Sequence, residues 1–190
     1  DNTSEENLTD IYKYVRYNNE QGGKITFIAQ DESDWTPIDE TGISWRYDAT
    51  TKTLNLMGSG EIQLDIIKYE KGETPPWQAH KNDIENLVIG EGITGTGTLK
   101  IFSSLSNLKN VSFPSTFTKL DQGTFATCTS LERIVLPDTI TDMAGAVFSR
   151  CNAMTSLVVK NRTIRTPIQD AWSSDETIPQ NLTVYGYRYT

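Results

Sequence analysis

Apolar side chains along residues 108–153 fall at offsets that recur after 23 positions. Written as two lines, LKNVSFPSTFTKLDQGTFATCTS stands above LERIVLPDTITDMAGAVFSRCNA. Leu108/Leu131, Pro114/Pro137, Thr116/Thr139, Thr118/Thr141, Phe125/Phe148 and Cys128/Cys151 are identical pairs. Val111/Ile134, Phe113/Leu136, Phe117/Ile140 and Leu120/Met143 exchange one apolar side chain for another. Val111 and Phe113, like Ile134 and Leu136, are two apart, which places both on one face of a strand. A proline follows each pair and ends the strand, because it lacks the N–H that a ladder needs. The chain then returns through a second apolar pair and closes on a Phe and a Cys. One such coil cannot bury its own apolar residues; stacked coils can, with like side chains in columns. The pattern predicts a repeat solenoid, mainly β, of about four coils.

The flanking coils carry the same pattern with departures. In residues 84–107, Leu87 and Ile89 are the strand pair, Phe102 is the closing ring and Leu105 stands at the cysteine offset. From Met154 onward, Leu157 and Val159 are the pair, Lys160 replaces proline, Trp172 takes the Phe column after a one-residue insertion, and Asp175 stands at the cysteine offset. Residues 181–190 add a strand with Leu182 and Val184 on one side and Tyr185, Tyr187 and Tyr189 on the other. Packing of a terminal strand accounts for the tyrosines better than a sticky stripe does.

Upstream, residues 42–83 read as a β cap over the first coil. ISWRYD and TLNLMG alternate as two strands joined by DATTK, GSGEIQLD continues past a Gly-rich bend, and KGETPPW is an irregular turn. Trp45 and Trp77 are candidates to cover the apolar end. Residues 1–41 form a third segment. Leu8, Ile11, Tyr12 and Val15 have helical spacing between Ser4 and Gly22–Gly23, although IYKYVRY also alternates like a strand. KITFIA reads as a strand and DESDWTPIDET as a loop.

Charge sharpens this division. The formal net charge is −8, of which residues 1–41 carry −7. The repeat region is near neutral and offers no basic footprint, so nucleic-acid binding is not expected. No apolar run reaches the ~18 residues of a membrane helix. The first residue is Asp1, not Met, which suggests a processed or trimmed chain with any export signal already gone. Cys128 and Cys151 occupy one offset and should be neighbours: buried thiols in the simpler reading, a bridge across rungs in the other.

Candidate chemistry is sparse. Gly90, Gly92 and Gly95 fit G-x-G-x-x-G, but no helix signal follows and no acidic residue stands about 20 positions on. The repeat explains these glycines as the turn leaving a strand. Asp31, Glu32 and Asp34 lack the glycine and the distal Glu of a calcium loop. His80, the single histidine, has no Cys or second His at ligand spacing and no G-x-S-x-G elbow to serve; it is expected at the surface. A carboxylate pair for glycoside hydrolysis has no recognisable cleft to project from. The sequence predicts no catalytic, cofactor or metal site.

The residues alternating with the inward pairs should point outward from the sheet: Asn86 and Val88, Asn110 and Ser112, Arg133 and Val135, Ser156 and Val158. This two-column ladder is the predicted partner-binding face. A specific interface uses about 800 Å² per partner, and such a ladder barely supplies that. The competing expectations are a carbohydrate-binding module using cap aromatics and a structural spacer. Exposure of Trp35, Trp45 and Trp172 separates them: two coplanar exposed rings favour sugar, buried rings do not.

LERIVLPDTITDMAGAVFSRC and LKNVSFPSTFTKLDQGTFATC resemble the BspA-type, or Treponema-type, bacterial surface leucine-rich repeat, which runs L-x-x-I-x-L/I-P, an apolar return, then A-F-x-x-C. GISWRYDATTKTLNLMGSGEI, PPW and IENLVIGEGIT resemble the cap that leads into such repeats, so the resemblance covers residues 42–184. It implies a right-handed superhelix on an exported bacterial protein, displayed at the cell surface or outer membrane, with a lipid anchor as one mode. It further implies adhesion to host, matrix or bacterial surface proteins. In a bacterial protein the N-x-S/T sequons at Asn2, Asn7, Asn110, Asn161 and Asn181 carry no weight.

Overall fold

The hairpin made by Ile43–Asp48 (β2) and Thr53–Gly58 (β3) shares its sheet with the first strand of the repeat pattern. The structure is a computed structural model, and it describes residues 34–38, 41–64, 74–164, 168–173 and 178–186. The helix and strand expected within residues 4–29 lie outside these, as do Asp31, Glu32, Asp175, Tyr187 and Tyr189. By contacts the chain divides at Glu32/Ser33, and the described residues all belong to the second unit.

In β2–β3 the Asp48 carboxylate accepts the N–H groups of Thr50 and Thr51 at 2.8 and 3.2 Å, which fixes the connecting turn. Residues 31–41 were expected to be loop throughout, yet Thr36–Pro37 (β1) pairs antiparallel with Ser44 and Trp45 of β2. The cause is Ile38, which is buried and donates its N–H to the Ile43 carbonyl at 2.8 Å. Proline suits this position because an edge strand leaves one N–H unused.

Parallel pairing then takes over. Thr53–Gly58 (β3) pairs with Asn86–Ile89 (β5), which pairs with Asn110–Ser112 (β7). Arg133–Leu136 (β9), Ser156–Val159 (β11) and Thr183–Tyr185 (β12) form a three-stranded parallel sheet. The returning strands Gly60–Ile62 (β4), Ile93–Thr96 (β6), Lys119–Leu120 (β8) and Asp142–Met143 (β10) make another parallel sheet. Register sets like residues side by side: Leu54 beside Leu87 beside Val111, and Ile134 beside Leu157 beside Val184. A slip of one residue would turn each set to solvent, so burial of Leu54, Leu87, Ile134 and Leu157 fixes the register. The glycines of the rejected fingerprint have a structural cause. A Cβ on Gly90 would sit 2.7 Å from the Leu56 carbonyl oxygen; one on Gly92, at φ +95°, would sit 2.6 Å from that of Gly58.

The closing turns stack as well. The N–H groups of Lys100, Phe102 and Ser104 donate to the carbonyls of Gln122, Thr124 and Ala126; those of Gly123, Phe125 and Thr127 donate to Gly145, Val147 and Ser149. Residues with left-handed φ recur at two offsets, Lys100/Gly123/Ala146 and Ser104/Thr127/Arg150. Inside runs a column of rings, Trp77–Phe102–Phe125–Phe148–Trp172, with centroids 5.6, 5.9, 6.1 and 5.9 Å apart. Trp172 takes the Phe position, as the insertion predicts. Trp77 covers the first coil's end of the column by stacking on Phe102, with Trp45 edge-on behind it. The two cysteines are buried and not bridged to each other, and each thiol donates to the carbonyl of a ring residue in the preceding coil: Cys128 to Phe102 at 3.3 Å, Cys151 to Phe125 at 3.1 Å.

Candidate partner-binding face

Alternation along β5, β7, β9 and β11 turns the inward residues into the core and leaves their neighbours on the outer side. Asn86 lies beside Asn110 and Val88 beside Ser112. Arg133 lies beside Ser156 and Val135 beside Val158. Val88, Asn110, Ser112 and Arg133 are exposed, while Asn86, Val135, Ser156 and Val158 are half-buried. The Asn110 amide donates to the Asn86 side-chain oxygen at 2.9 Å, and the Asn86 amide donates to the Thr51 carbonyl at 2.9 Å. The first column therefore begins as a fixed amide ladder rather than as independent side chains.

The same register carries both columns past the eight predicted residues. Thr53 and Asn55 of β3 lie beside Asn86 and Val88, and Asp48 and Arg46 of β2 lie beside Thr53 and Asn55. At the other end Thr183 and Tyr185 of β12 lie beside Ser156 and Val158. Val135, Val158 and Tyr185 make the apolar part, Tyr185 being 55% exposed. The signal for β3 was present in TLNLMG, where Asn55 stands between buried Leu54 and Leu56 just as Val88 stands between Leu87 and Ile89.

The face is two plates, not one. β7 and β9 lie side by side but share no ladder, so Asn86, Val88, Asn110 and Ser112 belong to one sheet and Arg133, Val135, Ser156 and Val158 to another. The strand pair bordering this seam includes Phe113, where other coils have Ile89, Leu136 or Val159. Its ring packs on Phe117 at 5.2 Å and edge-on to Phe125 at 6.2 Å. It and Val111 are half-buried, unlike Ile134 and Leu136 across the seam. Behind the seam, β8 and β10 stay paired.

Along one margin, Glu85 accepts from Lys52 at 2.6 Å and from Lys109 at 2.7 Å, joining three stretches of chain. The hydrogen bonds from Lys109 and Lys52 pull the Glu85 carboxyl down to about 2. The bond to Glu85 raises the Lys52 ammonium in turn.

At the β2 end, Asp34, Thr36, Trp45, Arg46, Tyr47 and His80 line an open notch of about 270 Å³. His80, expected at the surface, is half-buried and stacks on Tyr47 with centroids 4.3 Å apart. Burial first, then the Asp83 carboxylate, raises the Tyr47 hydroxyl. Trp45 meets Trp77 edge-on at 6.1 Å and 71°, and Trp77 and Trp172 are buried. Trp35 and Trp45 are half-buried. Among the described residues no three His, Cys, Asp or Glu side chains converge to hold a metal, and no helix is long and apolar enough to cross a membrane.

A family model described as the BspA type leucine-rich repeat region matches residues 79–183 in six copies. No curated protein matches the chain. Three solved structures are similar in fold. One is a leucine-rich repeat protein from Eubacterium ventriosum, at 18% identity over 63% of this chain and 42% of that one, TM-score 0.43. The T. pallidum leucine-rich repeat protein is 14% identical over 80% of this chain and 64% of that one, TM-score 0.42. A leucine-rich repeat protein from Bacteroides ovatus is 11% identical over 76% and 54%, TM-score 0.32. The chain thus spans less than two thirds of the length of each.

Proposed function

Since the chain belongs to the BspA-type leucine-rich repeat family, we propose that it is a non-catalytic binding module that engages a protein partner through the outer face of its parallel sheets. In this reading residues 84–190 are a right-handed solenoid of about four coils behind a cap at residues 42–83. The protein is exported, displayed at the bacterial cell surface, and used in adhesion to a host, matrix or bacterial protein.

The observation that carries the reading is register. Successive coils set Asn86 beside Asn110, Val88 beside Ser112, Arg133 beside Ser156 and Val135 beside Val158. Repetition thereby turns a two-residue alternation into an extended surface. Thr53, Asn55, Thr183 and Tyr185 lengthen the columns at both ends beyond a ladder that alone barely supplies the about 800 Å² of a specific interface. The tryptophans do not favour the carbohydrate reading: Trp77 and Trp172 are buried in the ring column, and Trp45 is edge-on to Trp77.

The test is a surface-binding panel of matrix and bacterial surface proteins. For any panel member that binds, Arg133→Glu and Val135→Asp should each weaken affinity at least about tenfold, the scale of a central interface side chain. Asp142→Asn, on the returning strand β10, should leave it unchanged. Unchanged affinity on charge reversal at Arg133 would remove the sheet face as the interface.

A further inference from the structure

The notch at the β2 end is lined by one arginine, Arg46. Among the described residues Arg46 forms no ion pair; its guanidinium lies over the Trp35 ring, 5.2 Å from the centroid. Its Nε is buried with no hydrogen-bond partner, and so is Nε1 of the adjoining Trp45. A buried donor left unpaired is costly, and few native ones are left so without a reason. The nearby carboxylates do not answer the need. Asp48, two positions on, turns Oδ1 to the Thr50 and Thr51 N–H groups and meets Arg46 only through its charge, without a direct pair. Asp34 is exposed at the notch wall and forms no ion pair with Arg46.

The missing group can be read from the donors. A guanidinium lying over an indole is a planar fork, and such a fork matches a carboxylate by two parallel bonds. The notch is poor for a pyranose ring, because Tyr47 and His80 already stack on each other and Trp35 is covered by Arg46. It is also poor for phosphate, since Arg46 is the one arginine among the residues named in its lining and a dianion calls for more than one. Its place matters too: Arg46 lies beside Asn55, which lies beside Val88, so the notch is the end of the outer face and not a separate surface.

From this juxtaposition we infer that the Arg46 notch receives a carboxylate of the protein partner, an Asp or Glu side chain or a C-terminus, and so sets which end of the partner lies over β2. The identity of the carrier rests on the sheet-face reading; the chemistry of the notch does not, and the experiment separates them.

The indole N–H resonances of Trp35 and Trp45 report on the notch in two-dimensional NMR of the whole chain. N-acetyl-glutamate α-amide should shift them with a dissociation constant on the order of 10 mM, the scale of one charge-assisted pair. N-acetyl-glutamine α-amide should not. Arg46→Gln should abolish the response with the remaining spectrum intact, Arg46→Lys should weaken it several-fold, and Arg133→Gln should leave it unchanged. Glucuronate shifting the signals at lower concentration than the glutamate probe would overturn the assignment to a protein carboxylate, and so would inorganic phosphate doing so. No response to the glutamate probe, or the same response in Arg46→Gln, would overturn the site itself while leaving the sheet-face reading standing.

Discussion

Glu85 joins Lys52, 33 residues before it, to Lys109, 24 after it. A carboxyl held at about 2 in the folded chain against an ordinary 4.5 makes stability depend on pH. The folded state binds the proton less readily than the unfolded one, so the contribution is complete above about pH 4.5. It is lost as pH falls toward 2. Urea midpoints of the wild type and Glu85→Gln should differ at pH 6 and converge by pH 2, with a smaller difference in high salt because the pairs are partly exposed. A pH-independent difference would mean that the carboxylate charge is not what ties these strands. The cysteines make the opposite case. Burial pushes the Cys128 thiol well above its ordinary range, so it offers almost no thiolate. Both thiols should resist an aromatic disulfide reagent in the native state and react only as fast as the chain unfolds; prompt labelling of either would contradict their burial.

At the scale of elements, inward and outward positions should differ sharply in what they contribute. Phe125 is fully buried between Phe102 and Phe148, so Phe125→Ala should cost about 3–5 kcal/mol by denaturant unfolding. Val88→Ala on the outer face should change stability by no more than about 0.5 kcal/mol. Comparable losses at the two sites would mean that the columns are not the core. These columns were legible because every member stands a fixed distance from the next: Phe102, Phe125 and Phe148 are 23 apart. Trp77 was legible only as part of the cover over that column, not as its first ring, because it stands 25 before Phe102, behind KGETPPW, where the period gives no guide. The seam was missed for a different reason. Phe113 and Leu136 are equivalent as apolar residues, and nothing in the period marks β7 off from β9. The short strand β1 is masked in the sequence by Pro37 and by the acids around it, and Ile38 is its apolar signal.

For the molecule as a whole, the repeat conveys the face but not its ends. Asn86, Val88, Asn110, Ser112, Arg133, Val135, Ser156 and Val158 follow from alternation within a period. The notch does not, since Asp34, Arg46 and His80 come from stretches related by no spacing and meet only because β1 and the Gln78–His80 turn flank β2. The account depends on outer residues of neighbouring coils standing beside one another. Parallel neighbours lie about 4.8 Å apart, within the range a disulfide spans. The most direct measurement is therefore mild oxidation of engineered cysteine pairs, read by mass spectrometry. Val88→Cys with Ser112→Cys, and Val135→Cys with Val158→Cys, should bridge within one chain, whereas Val88→Cys with Val111→Cys should not. Bridging of the Val88/Val111 pair, or accessible thiols at 88 and 112 that never join, would contradict the face on which the proposed function rests.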